Sequence, residues 1–233
     1  MKPVSRTRSV LVVTGAAFEA RIAAGEDIAV ICSGGDPARL RRLLAGLDPA
    51  SYRAVISFGL AGGLDPALRP GDLVVASDVA AKAESWHAAL ALTASLASAL
   101  HPKGTTLQRL AGVDAPVMAA ADKAALRAAT GASAVDMESH LVARFAADCN
   151  LPWGVLRVIC DPAQRGLPPL VLQALKPDGG IDFPAVLKSL VSDPAQIPAL
   201  IATGRDTWIA VRALRRARRL LGTGFGLVGP DFG

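Results

Sequence analysis

The sequence predicts an α/β fold, a three-layer α/β/α sandwich around a mixed, largely parallel sheet. Short apolar runs alternate with stretches of helical length and are closed by Gly, Asp or Pro turns, the pattern of strands threaded between helix layers. Size and composition agree. A chain of 233 residues can bury one core without staples, and 52% hydrophobic with only 4% aromatic residues means a core of Ala, Val and Leu.

The elements follow in order. Residues 10–13 are apolar and closed by Thr14-Gly15, which suits a buried parallel strand and its turn. Residues 16–24 suit a helix ended by Gly25, and 28–32 a second strand. In the turn after it, Asp36 can cap a helix that has Pro37 in its first position and runs on to 47. A third strand at 54–58 enters a glycine-rich bend at 59–63, and a fourth, 73–76, follows Arg69-Pro70-Gly71-Asp72. Composition then predicts helix at 84–100, strand at 113–119, helix at 122–129, a strand end at Val135, helix at 138–148 and a last strand at 152–159. Prolines and glycines break 166–204 into short helical pieces. The chain divides into a single α/β domain, 1–204, and a basic amphipathic helix and tail, 205–233, with the helix at about 206–221.

The net charge of +5 is concentrated in that tail, at Arg205, Arg212, Arg215, Arg216, Arg218 and Arg219. The basicity therefore describes a segment and argues against a nucleic-acid-binding fold. No apolar run approaches the roughly 20 residues of a membrane span. The basic start and the run 10–13 mimic a signal peptide, but the run is too short and reads as a first strand. Cys32, Cys149 and Cys160 form neither a metal motif nor a disulfide framework, which points to a reducing cytoplasm; no metal or other cofactor is expected.

Asp136, Glu138 and Asp161 stand where apolar strands run out, the place where α/β folds hold ligands. Each also has a plainer reading. Asp136 can cap the next helix, Glu138 suits a first turn, Asp161-Pro162 suits a turn, and Glu19 a solvated helix face. Gly59, Gly62 and Gly63 do not make the G-x-G-x-x-G fingerprint after a first strand, so a dinucleotide-dependent dehydrogenase is disfavoured. They suit either close packing or the approach of a flat ligand to the backbone.

Taken together, five blocks in one order resemble the nucleoside phosphorylase and nucleosidase superfamily, over roughly 10–163. They are Thr14-Gly15 with Glu19, Phe58-Gly59-Leu60-Ala61-Gly62-Gly63-Leu64, Pro70-Gly71-Asp72-Leu73-Val74, Val135-Asp136-Met137-Glu138, and Arg157-Val158-Ile159-Cys160-Asp161. The pattern is similar to methylthioadenosine/S-adenosylhomocysteine nucleosidases. Its finer features, Thr14 to Arg21, Ser33-Gly34-Gly35-Asp36 and Val135 to His140, look like the hopanoid-associated phosphorylase branch, whose members are implied to remove adenine from adenosylhopane.

The resemblance implies roles. Glu138 would hold the ribose hydroxyls, with Met137 and Val135 against ribose and base, and Ala61 and Gly62 would face the purine through backbone. Asp161 would act as general acid at the imidazole-ring nitrogen, and Glu19 would activate water. Asp136 and Arg157 would support, paired across neighbouring strands. A homodimer is implied as well. The residue types suit the chemistry: glycosidic cleavage develops a ribosyl cation and an anionic leaving base, so an acid near the base and negative charge near the sugar both help. An apolar surround would raise the proton affinity such an acid needs.

This sequence departs from the nucleosidase pattern at Cys160 and Leu60, each in place of a serine, at Asp136 in place of a glutamate, and in lacking a stacking aromatic near 122–126. Phosphorolysis would need a cationic clamp, for which Arg21 is the candidate. Glu19 would repel phosphate and favours water. The expected reaction is hydrolysis of adenosylhopane; a small thionucleoside and a non-catalytic nucleoside- or lipid-binding role stay open. The arginine helix suits peripheral contact with an anionic membrane through 205–220, and the apolar segment 167–175 suits shielding of a lipid tail.

Overall fold

Alternation along the first strand, β1 (Ser9–Thr14), sends Val10 and Val12 into one core cluster and Leu11 and Val13 into another, all fully buried. That double burial is what a central parallel strand requires. The computed structural model describes residues 8–100, 107–168 and 197–227. After β1 come α1 (Ala17–Ala23), β2 (Ile28–Cys32), α2 (Pro37–Ala45), β3 (Tyr52–Gly63), β4 (Leu73–Ala81) and β5 (Glu84–His87). Then follow α3 (Leu90–Leu100), β6 (Gln108–Gly112), α4 (Ala120–Thr130), β7 (Ala134–Asp136), α5 (Ser139–Asp148), β8 (Trp153–Asp161) and α6 (Ile197–Leu220).

The sheet runs β2-β1-β3-β7-β6-β4-β5, and β8 pairs with both β3 and β4. Strands β3, β7, β6, β4 and β8 thereby form a closed ring of pairings. Pairing is parallel at β1–β2, β1–β3, β3–β8, β4–β6 and β6–β7, and antiparallel at β3–β7, β4–β5 and β4–β8. The expected mixed α/β sheet is therefore present, with the closed ring as an added feature. One cluster joins β1, β3 and β8 to α3 and α6; the other joins the opposite faces to α2 and α5.

Asp36 caps α2 as expected, accepting from Ala38 N at 2.8 Å and Arg39 N at 3.1 Å, with Pro37 in the first turn. Four expectations change. Residues 84–87 are strand, paired back on β4 from Asp78↔His87 to Ala81↔Glu84, so helix begins only at Leu90. The strand expected at 113–119 lies at Gln108–Gly112; beyond it the chain leaves the sheet at Asp114, which pairs with Arg41. The glycine-rich stretch at 59–63 is the continuation of β3 rather than a bend.

The fourth change concerns the arginine helix. It runs unbroken across the 204/205 division and buries Ala210, Leu214 and Ala217 against the sheet. Arg218 turns inward, donating from Nε to Ala23 O (3.0 Å) and from Nη2 to Ala24 O (3.4 Å) at the end of α1. The helix is core rather than appendage, because its buried apolar residues sit at i, i+4 and i+7. Most of the pieces expected across 166–204, and all but two residues of 167–175, lie outside the described residues.

Candidate active site

The parallel strands β1, β3 and β8 end on one edge, and the acids named from sequence gather there. Arg157, on β8 and 1% exposed, is the hub. Its Nε lies 2.5 Å from Asp136 Oδ2 and its Nη2 3.3 Å from Glu138 Oε2; Nη2 also donates to Ser57 Oγ at 2.7 Å. The expected Asp136–Arg157 pair is thus present. Asp136 also accepts from Ser139 N at 3.0 Å and from the Ser139 hydroxyl, so it anchors α5 as well.

Glu19 is buried, contrary to its reading as a solvated helix residue. One carboxylate oxygen accepts from Gly15 N (2.9 Å) and Ala16 N (2.8 Å), and the other from Leu60 N (2.8 Å). Reaching back to Ala16 is half of a capping box, so the same contact starts α1 and fixes the acid. A side chain at Gly59 would place its Cβ 2.7 Å from both the Glu19 carboxyl and Arg157 Nη1. Only glycine leaves room for both the acid and the guanidinium over β3.

Asp136 and Glu138 therefore share one guanidinium, and Glu19 lies within its electrostatic reach. Burial raises Glu138 to about 7, with Asp136 and Glu19 adding to the rise and Arg157 and the Ser33 hydroxyl (3.1 Å) opposing it. Burial also raises Glu19, against Arg157 and its three backbone donors. The carboxylates hold Arg157 above its ordinary value even though desolvation works the other way.

Asp161 stands apart, across Gly62. A bulge between Ala61 and Gly62 makes their β8 partners Ile159 and Asp161, so Cys160 is the extra residue. That skip re-aims the Asp161 side chain, and both of its oxygens lie 3.3 Å from where a Gly62 Cβ would stand. The Cys160 thiol donates to Asp161 Oδ1 at 3.3 Å, while burial and that carboxylate push the thiol pKa well up. Cys160 thus keeps a weak donor where a serine was expected. Val135 pairs with Gly62 across the β3–β7 ladder, and Ala61 and Val135 are buried beside it. Met137 is half-buried between Asp136 and Glu138.

Lys123, from α4, is the residue that sequence reasoning missed. It is fully buried and forms an ion pair with Asp161 Oδ2, and it donates to Pro162 O and Arg165 O, each at 3.0 Å. Lys123 lies in an alanine-rich helix that looks solvated, so no local signal marks it. Ser33 and Ser139 stood inside quoted motifs with no role assigned, and Ser57 was not singled out. Arg21 is exposed on α1, away from the buried Glu19 and Ala23, and is not brought to the acids. A groove of about 530 Å³ beside α4, lined by Leu64, Ala120, Ala124, Arg127 and Ala163 among others, contains none of the acids.

The sequence matches the Phosphorylase superfamily over residues 4–174. No curated protein matches it significantly. Among solved structures, a Neisseria meningitidis 5'-methylthioadenosine/S-adenosylhomocysteine nucleosidase in complex with methylthio-immucillin-A is similar at a TM-score of 0.64 and 16% identity, covering 91% of this chain and 97% of that one. The Helicobacter pylori futalosine hydrolase gives 0.62 and 19%, covering 80% and 98%. A Colwellia psychrerythraea nucleosidase in complex with adenine gives 0.62 and 16%, covering 90% and 96%. At these identities the likeness is one of fold.

Proposed function

The chain belongs to the Phosphorylase superfamily, and on that premise we propose that it cleaves the N-glycosidic bond of an adenine nucleoside. The observation that carries this reading is the division of the acids. Glu19, Asp136 and Glu138 crowd one guanidinium and leave excess negative charge where a ribosyl cation would form, while Asp161 stands separately across Gly62 beside Val135. Glu138 binds the ribose hydroxyls with Met137 alongside, and Asp161 protonates the leaving base. Glu19 takes the proton of the attacking water.

Hydrolysis is favoured over phosphorolysis. The backbone donors of Gly15, Ala16 and Leu60 already hold Glu19, and Arg157 is committed to carboxylates. A phosphate would meet that negative charge without Arg21 to offset it. The test is adenine release from adenosylhopane and methylthioadenosine in parallel, with and without phosphate. Release needing phosphate and yielding a ribose phosphate would overturn hydrolysis. Release from neither nucleoside would leave only a binding role.

A lipid-linked substrate, with docking at an anionic membrane, is supported by the outer face of α6. Ile201 and Trp208 are exposed there, Arg212 lies 4.5 Å over the Trp208 ring, and Arg215, Arg216 and Arg219 continue the stripe. Each surface cation adds about 1 kcal/mol at such a membrane. Among the described residues, no helix is long and apolar enough to cross it. Deleting the helix would remove core residues, so the triple change Arg212→Glu, Arg215→Glu and Arg219→Glu is the better probe. It should abolish co-sedimentation with phosphatidylglycerol vesicles; unchanged binding would sink the docking. The homodimer is part of the same reading, and light scattering of the purified chain checks it.

A further inference from the structure

We propose that Lys123 supplies the proton that Asp161 delivers to the leaving base; this rests on the glycosidase reading above. The geometry is unusual for a structural lysine. Its ammonium is sealed from solvent and shares its protons among Asp161 Oδ2, Pro162 O and Arg165 O. Buried lysines are costly unless paired, and this one is paired with the single carboxylate placed to act on the base. The two carbonyls fix Nζ against Asp161, and both oxygens of that acid lie 3.3 Å from where a Gly62 Cβ would stand.

The arrangement is a two-member relay. As the glycosidic bond breaks, its electron pair stays on the purine. The Lys123 ammonium passes its proton to the Asp161 carboxylate as that acid delivers one to a ring nitrogen, which leaves Asp161 a carboxylate and Lys123 a neutral amine. A neutral amine is tolerated in a dry site, and lysine readily gives up its charge there, whereas arginine does not. The water that attacks the sugar leaves its proton on Glu19. Return of that proton through solvent to Lys123 closes the cycle, so nucleoside and water become ribose and free purine with no net change in the enzyme. Lys123 thus acts through Asp161 and is a positioning residue and proton reservoir.

The test separates proton supply from mere support of the 162–165 loop. Lys123→Met and Lys123→Arg are assayed on a purine nucleoside and on 4-nitrophenyl β-riboside, whose leaving group departs without a proton. Arg keeps the charge and can bond the same carbonyls, and it guards against a misfolded Met variant. Both variants should lose about 10²-fold or more in kcat on the purine nucleoside while staying within about threefold of wild type on the nitrophenyl riboside. Wild-type kcat for Lys123→Arg on the purine, or equal losses on both substrates, would overturn the relay. If the wild-type enzyme releases no purine from any nucleoside, the glycosidase reading itself has failed, which is a different result.

Discussion

The two ends of the acid cluster are built on opposite electrostatic plans. At the end proposed for the sugar, two buried carboxylates pair with one guanidinium and a third lies within its field, and Glu138 is pushed up to about 7 by burial and its acidic neighbours. At the end proposed for the base, one carboxylate meets one ammonium, and the pair is neutral as a unit. The contrast suits the transition state. Uncompensated negative charge is useful beside a forming cation, whereas beside a leaving base what is needed is a proton held in place.

The largest expected effect comes from breaking the base end. Asp161→Asn removes the proposed proton carrier and should cut kcat by about 10³-fold or more with the circular-dichroism spectrum unchanged; full activity would refute the assignment. Breaking the sugar end instead should strike stability. Arg157→Met leaves three carboxylates buried without their cation, and about 3–5 kcal/mol of unfolding free energy should be lost in urea titration. A loss below about 1 kcal/mol would mean that the carboxylates are better solvated than their burial suggests.

Glu138 provides a finer comparison through pH. Its folded value of about 7 lies above the ordinary 4.5, so the folded state binds that proton more tightly. The resulting stabilisation is full below pH about 4.5 and is lost as pH rises through about 7. Glu138→Gln should flatten that part of the melting-temperature profile, and kcat/KM of the wild type should rise through the same window as the carboxylate ionises. The smallest change is Ser33→Ala. Losing the hydroxyl that donates to Glu138 at 3.1 Å should move that rising limb upward by a few tenths of a pH unit, and an unmoved limb would separate Ser33 from the titration.

Much of the sugar end was legible in sequence because its parts are local. Glu19 falls three residues after the N-cap Ala16, Asp136 three before Ser139, and the strand ends are marked by apolar runs that stop. Burial was less legible. Glu19 resembles a solvated helix residue until Leu60, 41 positions away, is folded over it. Lys123 was invisible for the same reason, since its partners lie 38 to 42 residues along the chain. The arginine tail was misjudged as a unit because charge count masks the Ala210, Leu214, Ala217 stripe that ties it to the sheet.

By itself the sequence determined the alternation of strand and helix, the strand ends where acids collect, and the absence of the dinucleotide fingerprint. These depend on periodicity and on residues a few positions apart, which local sterics and hydrogen bonding decide. The tertiary structure alone decided the charge balance: one guanidinium among three acids, one lysine on the fourth, and a bulge at Cys160 that turns Asp161 toward Gly62. Such balances depend on which distant charges share a dry space, and no local pattern along the chain encodes that.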